Sequence, residues 1–281
     1  MNSLSADLLE SPPSLRAGTD PVSGGLVGRR VLVPRAGAWG ARVSAQCADR
    51  GATAVIAPLI ETRPPHDLHA LERFMAALEA GRYSWLFITS SASVEVLREY
   101  SVVIPDSTSI AAVGESTRRS LEDAGYSVAF VPAGRSSSTA LIEQWKARSR
   151  DVSGEAALVM RSDLAPATVS DELVLAGHSA DVCIAYRTVG LDLTAEIRRE
   201  VIEGAFDAIL VTSHSVAMEL ARQVSPVPST TLFACLGPGT AREAKRLGLS
   251  PLVTAPEQSI DALLDEIDSF YMHRATERHP S

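Results

Sequence analysis

The chain repeats itself, and that repetition limits what it can fold into. V-L-V-P-R, ending at Arg35, returns as A-L-V-M-R, ending at Arg161, an offset of 126 residues (35 to 161). Thr62 returns as Thr188 at the same offset. F-I-T-S, ending at Ser90, answers L-V-T-S, ending at Ser213, at an offset of 123 (90 to 213). V-G-E-S-T, ending at Thr117, answers L-G-P-G-T, ending at Thr240, again at 123 (117 to 240). Gly125 with Gly248 and Ser136 with Ser259 keep that spacing. An ordered series of this kind points to internal duplication, with a period far longer than the roughly 20–50 residues of a solenoid unit. A chain of 281 residues is also long enough for two domains of ordinary size.

Within each copy, short apolar runs alternate with helical periodicity. Runs at 31–33, 54–57, 85–88, 110–113 and 128–131 have strand length and β-branched content. The second copy answers with 158–160, 182–185, 208–211, 232–236 and 252–253. Between the strands, Val43 with Cys47, Val94 with Leu97, and Leu141, Ile142 and Trp145 sit at helix spacing. Continuous apolar strands alternating with helices imply parallel sheets covered on both faces. The fold expected is therefore α/β, with two flavodoxin-like, doubly wound parallel-sheet domains. Residues 1–28, rich in Ser, Pro and Gly and without the pattern of a secretory signal, are expected to form a disordered tail. Residues 271–281 are polar and are expected to fray.

Composition removes several classes of function. With 26 basic and 34 acidic residues the formal charge is −8, and no basic cluster exists to neutralise a nucleic-acid backbone. No apolar run approaches the roughly 18 residues of a membrane span. Cys47, Cys183 and Cys235 are odd in number and far apart, which suits core positions better than disulfides or metal sites. A cytoplasmic protein is expected. His66 and His69 lack a third ligand, and Gly237-Pro-Gly239 has Arg242 in the third glycine's place of a dinucleotide fingerprint. His214 lies between Ser213 and Ser215 but has no acidic partner visible in the sequence.

In open α/β sheets, ligands collect beyond the carboxyl ends of the strands, where loops lead into helix N-termini. The T-S and G-x-x-T segments fall there in both copies. Taken singly, each Ser or Thr reads equally well as a helix cap. Taken together, they outline two rims of backbone N–H groups suited to an anionic ligand with several arms.

These residues carry a resemblance. W-L-F-I-T-S-S-A-S-V at 85–94, A-A-V-G-E-S-T at 111–117, I-A-Y-R-T-V at 184–189, I-L-V-T-S-H-S-V at 209–216 and L-G-P-G-T-A at 236–241 join V-L-V-P-R in one ordered set. From about Val31 to Ile267 the chain resembles the uroporphyrinogen-III synthases, cofactor-free lyases that close the tetrapyrrole ring. The resemblance implies that the chain crosses between domains near 62–65 and back near 188–191, where Pro64 and Pro65 suit a sheet boundary. One domain would then combine 29–62 with 189–270, and the other would span 63–188. A simple cut near residue 151 is the alternative that the repeat alone would suggest.

The reaction implied takes hydroxymethylbilane, expels its terminal hydroxyl as water, inverts the last pyrrole ring and closes the macrocycle. Tyr186, which matches the family's tyrosine, is the implied catalytic donor. The first copy carries Ile60 at the offset-matched position, so packing alone does not demand the phenol, which keeps its proton at neutral pH. Ser90, Thr117, Ser213 and Thr240, with the amides around Gly114 and Gly237, are implied as donors to substrate carboxylates. Arg35 and Arg161 are expected to add positive charge locally, which matters more here than net charge. The aromatic first loop, 34–39, departs from the common family pattern. The resemblance further implies a monomer without cofactor or metal, and substrate handed over from hydroxymethylbilane synthase. The rival expectation is a non-catalytic, two-lobed binding or sensor module for an anionic small molecule or tetrapyrrole.

Overall fold

The computed structural model describes residues 24–134, 136–148, 154–224, 226–250 and 252–278. The chain opens with β1 (Arg30–Val33), α1 (Gly37–Asp49), β2 (Thr53–Ile56), β3 (Ile60–Arg63) and α2 (Leu68–Glu79). It continues through β4 (Trp85–Ile88), α3 (Ser91–Glu99), β5 (Ser109–Ala112), α4 (Glu115–Asp123) and α5 (Ser138–Arg148). Next come β6 (Ala156–Ser162), α6 (Thr168–Leu175), β7 (Ser179–Gly190), α7 (Ala195–Ile202) and β8 (Ala208–Val211). The last elements are α8 (His214–Gln223), β9 (Leu232–Cys235), α9 (Pro238–Arg246), β10 (Leu252–Thr254) and α10 (Ile260–Arg278).

Local chemistry sets many of the helix boundaries. Asp67, Ser90, Thr194 and Ser213 each accept a backbone N–H three residues ahead, starting α2, α3, α7 and α8. Gly125 and Gly248, one of the repeated pairs, stop α4 and α9 with φ of 88° and 82°, a conformation that side chains disfavour.

The strands form two sheets. The first runs β2-β1-β8-β9-β10, with every pairing parallel. Counting only its own strands along the chain, that is the 2-1-3-4-5 order of flavodoxin-like sheets. The second runs β3-β7-β6-β4-β5 and is parallel from β7 to β5. The run at 128–131, expected as a full strand, contributes a single parallel bridge from Phe130 to Ala111. Both sheets bury both faces, which explains the continuous apolar runs. In the first, Leu32, Ile209 and Phe233 meet α7, α8 and α9, while Val31, Leu210 and Ala234 meet α1 and α10. In the second, Leu86, Ile110 and Leu158 meet α2, α3 and α4, and Phe87 and Val159 lie against Trp145 and Leu173 on the other face.

The passages between the sheets form structure that the apolar runs do not announce. β3 pairs antiparallel with the end of β7, from Ile60↔Gly190 to Arg63↔Arg187, and Thr62 stands opposite Thr188. Two residues that share the 126-residue offset are thus neighbours in space.

Both ends of the described chain correct the sequence reading. Residues 1–23 of the expected disordered tail lie outside the described residues, but 24–28 are seated. Leu26 is fully buried, and its N–H donates to Asp268 of α10 at 2.9 Å. Arg29 bonds Asp207 at 2.6 Å and lies 3.6 Å over the Tyr271 ring. The Tyr271 hydroxyl donates to the Asp207 carbonyl, so α10 continues through the segment expected to fray. One apolar anchor and one aromatic were enough to override a polar composition.

Leu26→Ala should destabilise the protein by about 2–5 kcal/mol in denaturant titration, as for other buried leucines; a loss below about 0.5 kcal/mol, a surface-like value, would mean that 24–28 are not seated. Burial raises the thiol pKa values of Cys47 to about 11 and of Cys183 and Cys235 to about 12. Because the thiolate is the reactive form, thiol reagents at pH 8 should leave all three unmodified in the folded protein and label all three in denaturant.

Candidate functional site

The carboxyl ends of β1, β8 and β9 form the rim of the first sheet. Arg35 leaves β1 there, half-buried, with its guanidinium 5.3 Å from the Trp39 ring centroid. Burial lowers its pKa, and the opposing electrostatic influence comes from Tyr186. Among the described residues no carboxylate pairs with Arg35, so it is a partly desolvated cation without a counter-charge. One strand along, Ser213 caps α8 by accepting the Val216 N–H at 3.2 Å. The neighbouring Thr212 hydroxyl is buried without a hydrogen-bond partner. Gly237 opens α9 in an extended conformation with no side-chain cap, which leaves the helix's first amides uncommitted, and Thr240 lies in that first turn.

The second rim is built alike at the ends of β4 and β5. Ser90 caps α3 by accepting the Ser93 N–H at 3.3 Å, and Gly114 opens α4 without a side-chain cap. Thr117 lies in the first turn of α4 and is only 2% exposed. A side chain on either glycine would collide with the next loop: a Cβ on Gly114 would overlap Ser136 Oγ, and one on Gly237 would meet Gln258 Nε2 at 3.0 Å. Gln258 in turn donates to the Ser136 carbonyl at 3.5 Å, joining the loop before α10 to the loop before α5.

Tyr186 connects the two rims. At the end of the β6–β7 pairing, Arg161 stands opposite Ile184 and Ser162 opposite Tyr186, so Ala185 is passed over in a bulge. Bulges re-aim the side chains that follow them. The Tyr186 hydroxyl donates to Ser90 Oγ at 2.9 Å while its ring packs on the second sheet's core. Tyr186 and Ser90 thus meet from the β7 bulge and a second-sheet helix cap, and Arg35 of the first-sheet loop is linked to this pair electrostatically, through Tyr186.

Arg161 does not join them. Its guanidinium donates to the carbonyls of Ser162 at 3.1 Å and of Ala165, bracing the loop after β6, and its Nε is buried without a partner. Arg35 and Arg161 are thus placed differently: Arg161 is held by its own loop, whereas Arg35 has the Trp39 ring beside it. His214 has the acidic neighbour that sequence could not supply, with Glu243 3.6 Å from Nδ1. Ser93 lies within the motif at 85–94 but is not singled out there, Ser136 stands out in the sequence only as a member of a repeated pair, and Gln258 is marked by no motif; the structure places all three at the rims.

Comparison with known proteins agrees with this architecture. The family model described as uroporphyrinogen-III synthase HemD matches residues 41–265. None of the curated proteins matches the chain. Among solved structures, a mutant uroporphyrinogen III synthase from the extremely thermophilic bacterium Thermus thermophilus superposes with a TM-score of 0.61 at 16% identity, covering 90% of this chain and all of that one. The uroporphyrinogen-III synthetase of Helicobacter pylori superposes with a TM-score of 0.57 at 17% identity, over 86% of this chain and 99% of that one. At these identities the superpositions speak to the fold alone. The family match, by contrast, runs from within α1 to within α10 and so through both sheets: the chain belongs to the uroporphyrinogen-III synthase family.

Proposed function

We propose that hydroxymethylbilane is closed to uroporphyrinogen III between the two rims, and that the hydrogen-bonded Tyr186–Ser90 pair, with Arg35 within electrostatic reach of the phenol, marks the reacting end. That grouping is the observation that carries the reading. The substrate's carboxylate arms need donors on several sides, and four helix N-termini, those of α3, α4, α8 and α9, supply backbone N–H groups along the rims. Arg35 adds a cation already stripped of part of its water, so a carboxylate arriving there regains what burial took away.

The chemistry begins with departure of the terminal hydroxyl. Tyr186 gives its proton to that oxygen, the C–O bond breaks, and water leaves as the pyrrole nitrogen's electron pair forms the azafulvene cation. The phenolate so formed lies beside Arg35, whose charge stabilises it. The substituted carbon of the last ring then attacks, that ring inverts, and the proton released at closure returns to the phenolate. Donation by a placed acid contributes about 10²–10⁴-fold in rate. Holding a flexible chain in the reacting geometry can contribute about 7–11 kcal/mol, so positioning is the larger task.

The two arginines divide the work. Arg35 binds substrate, and Arg161 braces the loop after β6, in which the Asp163 N–H donates to the Tyr186 carbonyl at 3.2 Å. Each sheet with its helices acts as one domain, 29–62 plus 189–270 against 63–188, and the β3–β7 ribbon is the hinge between them. We further read the protein as a cytoplasmic monomer that receives its substrate from hydroxymethylbilane synthase. None of its described helices is long and apolar enough to cross a membrane.

The deciding assay generates hydroxymethylbilane, adds the protein and separates uroporphyrin isomers I and III after oxidation. Isomer III is expected; isomer I alone would leave only the binding-module reading. Tyr186→Phe should lower turnover by about 10²-fold or more with an unchanged circular dichroism spectrum, and full activity would remove the phenol from the mechanism. Arg35→Met should raise KM by about tenfold or more, the size of a charge-assisted hydrogen bond, with a smaller change in kcat. An unaltered KM would place the arginine outside the binding surface.

A further inference from the structure

We propose that Ser93 is a positioning residue for Tyr186: by fixing the Ser90 hydroxyl it fixes the place of the phenol oxygen, and the phenol's single proton turns from Ser90 to the departing hydroxyl when substrate is bound. This rests on the reading of Tyr186 as the donor to the departing hydroxyl. Ser93 is fully buried, and its Oγ lies 3.2 Å from Ser90 Oγ. Ser90 Oγ accepts from the Tyr186 hydroxyl at 2.9 Å and from the Ser93 N–H at 3.3 Å. A serine hydroxyl has two acceptor positions and one proton to give. Both acceptor positions of Ser90 are therefore occupied, and its own proton must be the one donated to Ser93 Oγ. The direction of the chain follows: Tyr186 donates to Ser90, and Ser90 donates to Ser93. Without Ser93 Oγ, the Ser90 hydroxyl is free to rotate, and the phenol oxygen loses the fixed partner that sets its place.

The other rim shows that helix architecture does not require this hydroxyl. Ser213 caps α8 as Ser90 caps α3, and the residue whose N–H it accepts is Val216, fully buried and apolar. Burying a hydroxyl where an apolar group fits is unfavourable unless a partner makes use of it. The offset partner of Tyr186 is likewise apolar, Ile60. The buried serine and the phenol therefore occur on the same rim and are both absent from the other.

A double-mutant cycle tests the role. Ser93→Ala should lower kcat by about fivefold, as for loss of one neutral hydrogen bond, with KM and melting temperature close to wild type. Ser93→Thr, which keeps a hydroxyl, should retain most of the wild-type kcat. In a Tyr186→Phe background, Ser93→Ala should have no further effect, because the group it positions is gone. Wild-type kcat in Ser93→Ala would overturn the proposal. So would an equal loss in both backgrounds, which is what a merely structural serine would give, or a folded Ser93→Thr protein as slow as Ser93→Ala. If Tyr186→Phe itself keeps full activity, the donor reading falls and this role falls with it; wild-type protein yielding only isomer I would remove the reaction as a whole.

Discussion

Four opposed residue pairs, from Ile60↔Gly190 to Arg63↔Arg187, carry the chain between its two sheets, and the rest of the arrangement depends on them. Each end of this ribbon is tied down by a side chain that satisfies main-chain groups. On the first-sheet side, Gln223 of α8 accepts the Leu193 N–H at 2.7 Å and donates to the Leu191 carbonyl at 2.8 Å. On the second-sheet side, Asp163 accepts the N–H groups of Thr188 and Leu164, both at 3.0 Å. Backbone groups leaving a sheet would otherwise lack partners, and unpaired buried polar groups are costly. The Glu219 carboxylate of α8 closes over Gly190, where a Cβ would have to push it aside. Tyr186 sits where the ribbon enters the second sheet, within electrostatic reach of Arg35 on the first.

The protein carries net negative charge, yet its proposed ligand is an acid with many arms. The distribution of partners explains how the two can coexist. Several helix arginines are engaged: Arg118 with Glu115 and Glu122, Arg222 with Asp192 and Glu219, and Arg246 with Glu243. The Glu115 carboxylate, beside the Gly114 amides, is held down to about pKa 2, chiefly by its hydrogen bond to Arg118. Exposed pairs of this kind add little stability, but they keep acidic side chains occupied next to an anion-binding helix end. Arg35 has no such partner, and its burial strengthens any interaction that it makes with an incoming carboxylate.

How far the site can be read from sequence depends on whether a residue's role is local. Ser90 and Ser213 act as caps because a short polar side chain ahead of a helical pattern satisfies a backbone N–H a few residues on, and sequence contains both partners. Arg35 and Arg161 look alike because each follows an apolar strand at the same place in its copy. Their divergence depends on what each guanidinium faces, and no spacing rule encodes that. Ser93 reads as one serine among several in S-S-A-S until Tyr186, nearly a hundred residues later in the chain, is brought against its cap. The β3 strand is illegible for a related reason: I-E-T-R has too little apolar content to stand out, and it is a strand only because 187–190 pairs with it.

By itself, then, the sequence determined the α/β class, the strand runs buried on both faces, the capped and glycine-ended helices, and the paired motifs at the strand ends. These follow from short-range rules of side-chain spacing and backbone geometry. Tertiary structure alone decided how the two sheets share the chain, that Leu26 and Tyr271 belong to the fold, that Arg161 turns inward, and that Tyr186, Ser90 and Ser93 converge. Each of those outcomes depends on contacts between residues distant in sequence, where desolvation and the pairing of backbone groups, rather than local propensity, determine the result.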